Sequence, residues 1–188
     1  MKSIAFLDAN VLYPATTRSV LLFLAGAGLF VPLWSDKVHE EWTRNLLQQN
    51  PQLDAGRIAR TRALMEASAE GANVTGYEPL IDSLTLPDAK DRHVLAAAIH
   101  GGADIIVTKN LKDFPPDTLS PHSIVPQHPD AFVLSLIKTD EASSLAALAA
   151  DRANLRHPAM TDLEYIAALE HNDLKATAAA LRPMADKL

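Results

Sequence analysis

Apolar residues recur along this chain in two rhythms that take turns. Short continuous runs at Ser3–Leu7, Leu29–Trp34 and Asp104–Thr108 have the length and composition of buried strands. Between them apolar positions return at helical spacing. The first such stretch begins at Asn10 and continues through Leu24, where Gly26 and Gly28 end it. Ser35 caps a second helix running to about Gln49, with Val38, Trp42 and Leu46 on its buried face. Asn50-Pro51 stops it. A third covers residues 54–70, with Arg57, Arg60 and Arg62 on its surface. Residues 71–87 are loop-rich around Asn73–Tyr77. Asp88 opens a fourth helix through His100, closed by Gly101-Gly102. A turn-rich stretch with Pro115-Pro116 leads to Ile124-Val125, expected as an edge strand.

Strands alternating with helices predict an α/β fold, a parallel sheet with helices on both faces. Beyond Pro129 the strand rhythm disappears. Residues 130–188 are alanine- and leucine-rich at helical spacing, and Thr161-Asp162-Leu163-Glu164 fits a capping box. The expected organisation is therefore an α/β domain over residues 1–127 and an extension of two to four helices over 128–188.

Composition narrows the setting. About half of the 188 residues are apolar, enough to bury a sizeable core. No apolar run reaches the roughly 18 residues of a membrane span, since Val20–Leu33 is interrupted by Gly26, Gly28 and Pro32. Lys2 and Asp8 flank too short a stretch for a signal peptide, and no small-residue cleavage site follows. Cysteine is absent, which excludes a disulfide scaffold and a thiolate metal site. The expectation is a cytoplasmic protein with no membrane partner. The net charge of −6, from 17 basic and 23 acidic residues, runs against bulk electrostatic gripping of nucleic acid. Either there is no nucleic-acid partner, or carboxylates concentrate in a site that cations neutralise.

In open parallel sheets the ligand crevice lies beyond the carboxyl ends of the strands. Asp8 stands at that end of the first strand, and Thr108 and Asn110 at that end of the third. Glu41 precedes Trp42 on the capped helix and so flanks its buried stripe. Asp88 and Asp91, spaced i, i+3, share a face at the N-terminal turn of theirs. Four carboxylates converging would repel one another unless a hard divalent cation joined them. Oxygen donors suit magnesium or manganese, and such ions support phosphodiester hydrolysis.

These motifs, Phe6-Leu7-Asp8-Ala9-Asn10-Val11-Leu12, Ser35–Leu46 with its internal Glu41-Trp42, Asp88–Ala98, and Val107–Phe114, resemble the PIN-domain family in this order and spacing. The likeness covers residues 3 to about 126 and is greatest to the VapC-like toxin branch, some of whose members carry a similar helical tail. It implies a three-layer α/β/α PIN-like fold around a central parallel sheet. It also implies RNA cleavage with Mg2+ or Mn2+, an antitoxin protein that blocks it, and a homodimer. By position Asp8 matches the first acid and Asn10 the polar residue beside it. Glu41 matches the second, with Glu40 as the register alternative. Asp91 matches the third, and Asp88 is an additional metal ligand. Where many relatives have a fourth acid after the threonine this chain has Asn110, with Asp113 close by.

Each residue also has a plainer reading. Asp8 could cap the following helix, Asp88 and Asp91 could serve a helix dipole, and Thr108, Asn110 and Asp113 could form a turn. Arg18, Arg44 and Arg92 suit either RNA phosphate or surface ion pairs. Trp34 and Trp42 read as core. His93 and His100 lack the i, i+4 spacing of a helical metal pair and read as structural or surface residues. An aspartyl phosphatase is excluded because its second aspartate would fall at Asn10. The alternative to a ribonuclease is a catalytically inactive PIN-like module that binds RNA or protein.

Overall fold

The computed structural model describes residues 2–155 and 159–188. Its chain divides into two compact units, each described in turn.

The first unit comprises the stretch ending at Tyr13 together with Phe30–His128. Its centre is a four-stranded sheet of β1 (Ile4–Leu7), β2 (Val31–Leu33), β3 (Ile105–Val107) and β4 (Val125–Gln127), all parallel, in the order β2-β1-β3-β4. Ala5, Phe6 and Leu7 are all fully buried. Successive strand residues point to opposite faces, so both faces of the central strand are covered, as a parallel sheet requires. The two edge strands each hold a proline, Pro32 and Pro126. Proline has no N–H to give a neighbour, and an edge is where the sheet tolerates that.

Asp8 ends β1 and caps the short helix α1 (Ala9–Leu12), and here the expected Asn10–Leu24 helix breaks. The next donor in the ladder would be the N–H of residue 14, which proline lacks. Pro14 takes an extended conformation and becomes the cap of α2 (Ala15–Gly26). Ser35 caps α3 (Asp36–Gln49) through a hydrogen bond from the Val38 N–H. Val38, His39 and Trp42 are buried, whereas Leu46 is only half-buried. Asp54 caps α4 (Ala55–Ser68). The predicted helix at Asp88 starts instead as one 3-10 turn over Ala89–Asp91 and becomes α-helical as α5 (Arg92–His100). The Asp88 side chain accepts from the Lys90 N–H and holds that turn. A short α6 (Pro116–Leu119) precedes β4.

The second unit comprises Pro14–Leu29 and Pro129–Leu188. It contains α2 with α7 (Pro129–Thr139), α8 (Glu141–Asn154), α9 (Asp162–His171) and α10 (Lys175–Leu181). The capping box at Thr161 and Glu164 forms as expected. The Asp130 carboxylate accepts from the N–H groups of Ala176 and Thr177, both at 2.8 Å, and so fixes the start of α10 against α7. Within this unit α2 packs on α8 and α9. Buried Asp151 of α8 accepts from Ser19 of α2 and, at 2.7 Å, from the Tyr165 hydroxyl of α9.

Candidate active site

The strand order changes direction between β1 and β3, the switch point where open α/β sheets bind ligands. Both central strands end in polar side chains there. The Asp8 N–H bonds to the Val107 carbonyl at 3.1 Å, which aligns the two strand ends. Asp8 Oδ1 accepts from the Ala9 N–H at 2.6 Å, the capping role that local sequence alone would assign it. Its Oδ2 accepts from Thr108 Oγ1 at 2.7 Å and from Asn10 Nδ2 at 2.6 Å. Asn10 completes the lattice: Nδ2 also reaches Thr108 Oγ1 at 2.9 Å, and Oδ1 accepts from the Lys109 N–H at 2.9 Å. Thr108 Oγ1 accepts once more, from the Asn110 N–H at 3.0 Å. Asp8, Asn10 and Thr108 are thus one rigid unit spanning two strands.

Burial pushes the Asp8 carboxyl up from its ordinary value. The hydrogen bonds from Thr108 and Ala9 oppose that, the negative charge of Glu41 adds to it, and His93 counters it. Asp91, at the start of α5, is pushed up to about 6, first by burial and then by the charges of Asp8, Asp88 and Asp113. Asp91 therefore feels Asp8, Asp88 and Asp113, and Asp8 feels Glu41, although these acids come from four separate stretches of chain. Asp113 accepts from Asn110 Nδ2, which holds it near the end of β3.

The two glutamates of α3 diverge. Glu41 is half-buried, and its Oε1 lies 3.0 Å from Nε2 of buried His93. Glu40 stands in solvent and pairs loosely with Lys37 at 3.7 Å. His93 is the site neighbour that sequence reasoning passed over. The signal for it was available: it lies two residues beyond Asp91, on a helix whose next five residues are all buried.

The arginines are dispersed. Arg44 is exposed on α3; Arg92 is half-buried, and its Nε donates to the Ala89 carbonyl at 3.1 Å. Arg18 lies on α2, in the second unit, where burial lowers its pKa. Among the described residues, no three aspartate, glutamate or histidine side chains stand arranged to hold a metal ion. Asp8 and Asp88 spend oxygens on backbone caps, and Glu41 lies against His93. The donor chemistry nevertheless fits a hard cation: carboxylate oxygens with repulsion to relieve, one imidazole beside them and no thiolate.

The chain belongs to the PIN-domain family, whose domain model matches residues 5–112. The model of the VapC50 C-terminal domain matches residues 129–183. A relative from Mycobacterium tuberculosis (strain ATCC 25618 / H37Rv), named "Putative ribonuclease VapC50", is 45% identical over 73 residues. That match takes in 39% of this chain and 43% of the relative, so it spans less than half the length of either. No solved structure matches significantly.

Proposed function

We propose that this chain is an endoribonuclease dependent on Mg2+ or Mn2+ and the toxin of a toxin–antitoxin pair, with Asp8, Glu41, Asp91 and Asp88 as its metal-binding centre. The observation that carries this reading is the gathering of acids at the ends of β1 and β3, with Asp8 held by Thr108 and Asn10 and Asp113 held by Asn110. Asp91 beside them is raised first by burial and then by the charges of Asp8, Asp88 and Asp113. Carboxylates kept where they repel one another cost stability, and such groups cluster at functional sites. A divalent ion bound there would offset the repulsion, polarise a phosphoryl oxygen and lower the pKa of a water.

The chain's own residues would do the rest. Thr108 and Asn10 hold the Asp8 carboxylate so that it needs no reorganisation. Asp91 is ionised above about pH 6 and supplies the second fixed negative charge. Asn110 and Asp113, tied to each other, line the β3 side. Arg44 and Arg92 on the same unit are the candidates for phosphate contact at this site, and Arg18, on the second unit, is a separate candidate for RNA contact. No side chain need form a covalent intermediate.

The toxin role and the antitoxin partner are supported by the VapC50 C-terminal model and by the name of the bacterial relative; a homodimer belongs to the same proposal. A cytoplasmic setting is part of the same proposal. Among the described residues no helix is long and apolar enough to cross a membrane.

Purified protein incubated with total cellular RNA, with magnesium, with EDTA and as Asp8→Asn, tests the reading. Discrete fragments that require both the ion and Asp8 are the expected result. Asn110, an amide where the resemblance implies a fourth acid, favours the alternative of a non-catalytic binding module. Intact RNA in every lane, from folded protein free of antitoxin, would decide for that module.

A further inference from the structure

His93 sits in the first turn of α5, two residues after Asp91, and is buried. Its Nε2 is at hydrogen-bond separation from Glu41 Oε1, 3.0 Å, although the N–H is not squarely aligned with the oxygen. Among the described residues neither ring nitrogen makes a well-aligned hydrogen bond. A buried imidazole left unpaired is costly, so a carboxylate beside it is a strong compensation. Glu41 is the one of the two neighbouring glutamates drawn inward; Glu40 stays in solvent beside Lys37.

We propose that His93 is a positioning residue, whose imidazole holds the Glu41 carboxylate, already turned inward by its place beside Trp42, toward Asp8. The inference rests on the metal-centre reading above. One turn of α5 then supplies both an acid and the donor that orients another acid from α3. Groups that orient a ligand in this way tune metal affinity about 10- to 100-fold.

The test is Mn2+ binding, followed by electron paramagnetic resonance, to the full chain and to His93→Ala, His93→Gln, Glu41→Gln and the double variant His93→Ala/Glu41→Gln. Circular dichroism checks each fold, and His93→Asn, whose amide falls short of Glu41, replaces His93→Ala if that variant does not fold. Removing the imidazole should weaken Mn2+ binding about 10- to 100-fold. His93→Gln, with an amide N–H near the place of Nε2, should recover most of the loss. The double variant should bind no worse than Glu41→Gln, because His93 acts through Glu41. A general packing defect would move neither the glutamine rescue nor this non-additivity.

Unchanged binding in His93→Ala, failure of glutamine to rescue, or losses that add in full would each overturn the proposal while leaving the metal centre intact. A wild-type chain that binds no Mn2+ would overturn both.

Discussion

Thr108 donates a hydrogen bond to Asp8 across 2.7 Å, joining two residues 100 positions apart in the chain. The bond ties the ends of adjacent parallel strands and fixes the orientation of a carboxylate that burial disfavours. Because Thr108 Oγ1 also accepts from Asn10 and from the Asn110 N–H, one hydroxyl organises three neighbours.

Thr108→Val, which keeps the shape and removes the hydroxyl, should destabilise the protein by about 1–3 kcal/mol, the cost of leaving buried polar partners unsatisfied. Thr108→Ser should lie much closer to wild type. Urea unfolding measures the difference. Equal stability of valine and serine variants would mean that the lattice around Asp8 contributes nothing.

Asn10→Asp replaces the donor to Asp8 with another negative charge. Metal-free protein should lose stability at neutral pH, and magnesium should restore more of it than it adds to wild type. Thermal melts with EDTA and with excess magnesium compare the two. A smaller magnesium effect in the variant would contradict an ion at this position.

Asp91 sets a pH dependence whose sign follows from its raised pKa. The folded protein holds the Asp91 proton up to about pH 6, whereas the unfolded chain releases it near 3.8. The stability associated with that proton is present below 3.8 and is lost as pH rises through about 6. Asp91→Asn should therefore stabilise metal-free protein at neutral pH, by about 1 kcal/mol once solvent screening is allowed for. The gain should vanish by pH 3.5. The same proton competes with a cation, so Mg2+ affinity should fall as pH drops below about 6. Calorimetric titration at pH 5.5 and 7.5 would reveal it.

Bound metal should also stabilise the fold. At 100 times its dissociation constant the increment is about 2.7 kcal/mol. Differential scanning calorimetry should show the melting temperature rise with magnesium and return with EDTA. In Asp8→Asn the rise should shrink or disappear.

The second unit has a buried polar link of its own. Asp151→Ala would leave the Ser19 and Tyr165 hydroxyls without their acceptor and should cost about 1–3 kcal/mol. Asp151→Asn, which still offers an acceptor, should cost less. Burial raises the Asp151 pKa, so its carboxylate form favours the fold less than its acid form. A chain ending at His128 would lack α8 and α9, on which α2 packs, and should lose helix content beyond the deleted segment. Circular dichroism would detect that excess.

Much of this was legible beforehand, and for local reasons. A capping serine before Val38, a threonine–glutamate box at 161 and 164, and a short apolar run ending in Asp8 are all signals carried within a few residues. The break at Pro14 was equally local, yet the continuing helical spacing on either side of it hid a change of partner. Leu46 shows the limit of periodicity: it lies in the apolar register of α3 but is only half-buried, because burial depends on what lies opposite.

The acids of the candidate site divide along the same line. Asp8 and Asp91 follow from strand ends and helix starts, whose geometry the neighbouring residues dictate. The choice of Glu41 over Glu40 follows only in part: its place beside the buried Trp42 on α3 was local, but the group it meets there was not, since only folding brings His93 against it. The company kept by α2 was hidden in the same way. Its sequence promised a helix with an apolar face, but the residue that secures it, Asp151, joins Ser19 from 132 positions away. Periodicity determines which residues form an element and which face is apolar, because those depend on neighbours one turn apart. Which element covers that face, and which carboxylates share a site, depends on where distant segments return, and only tertiary packing decides it.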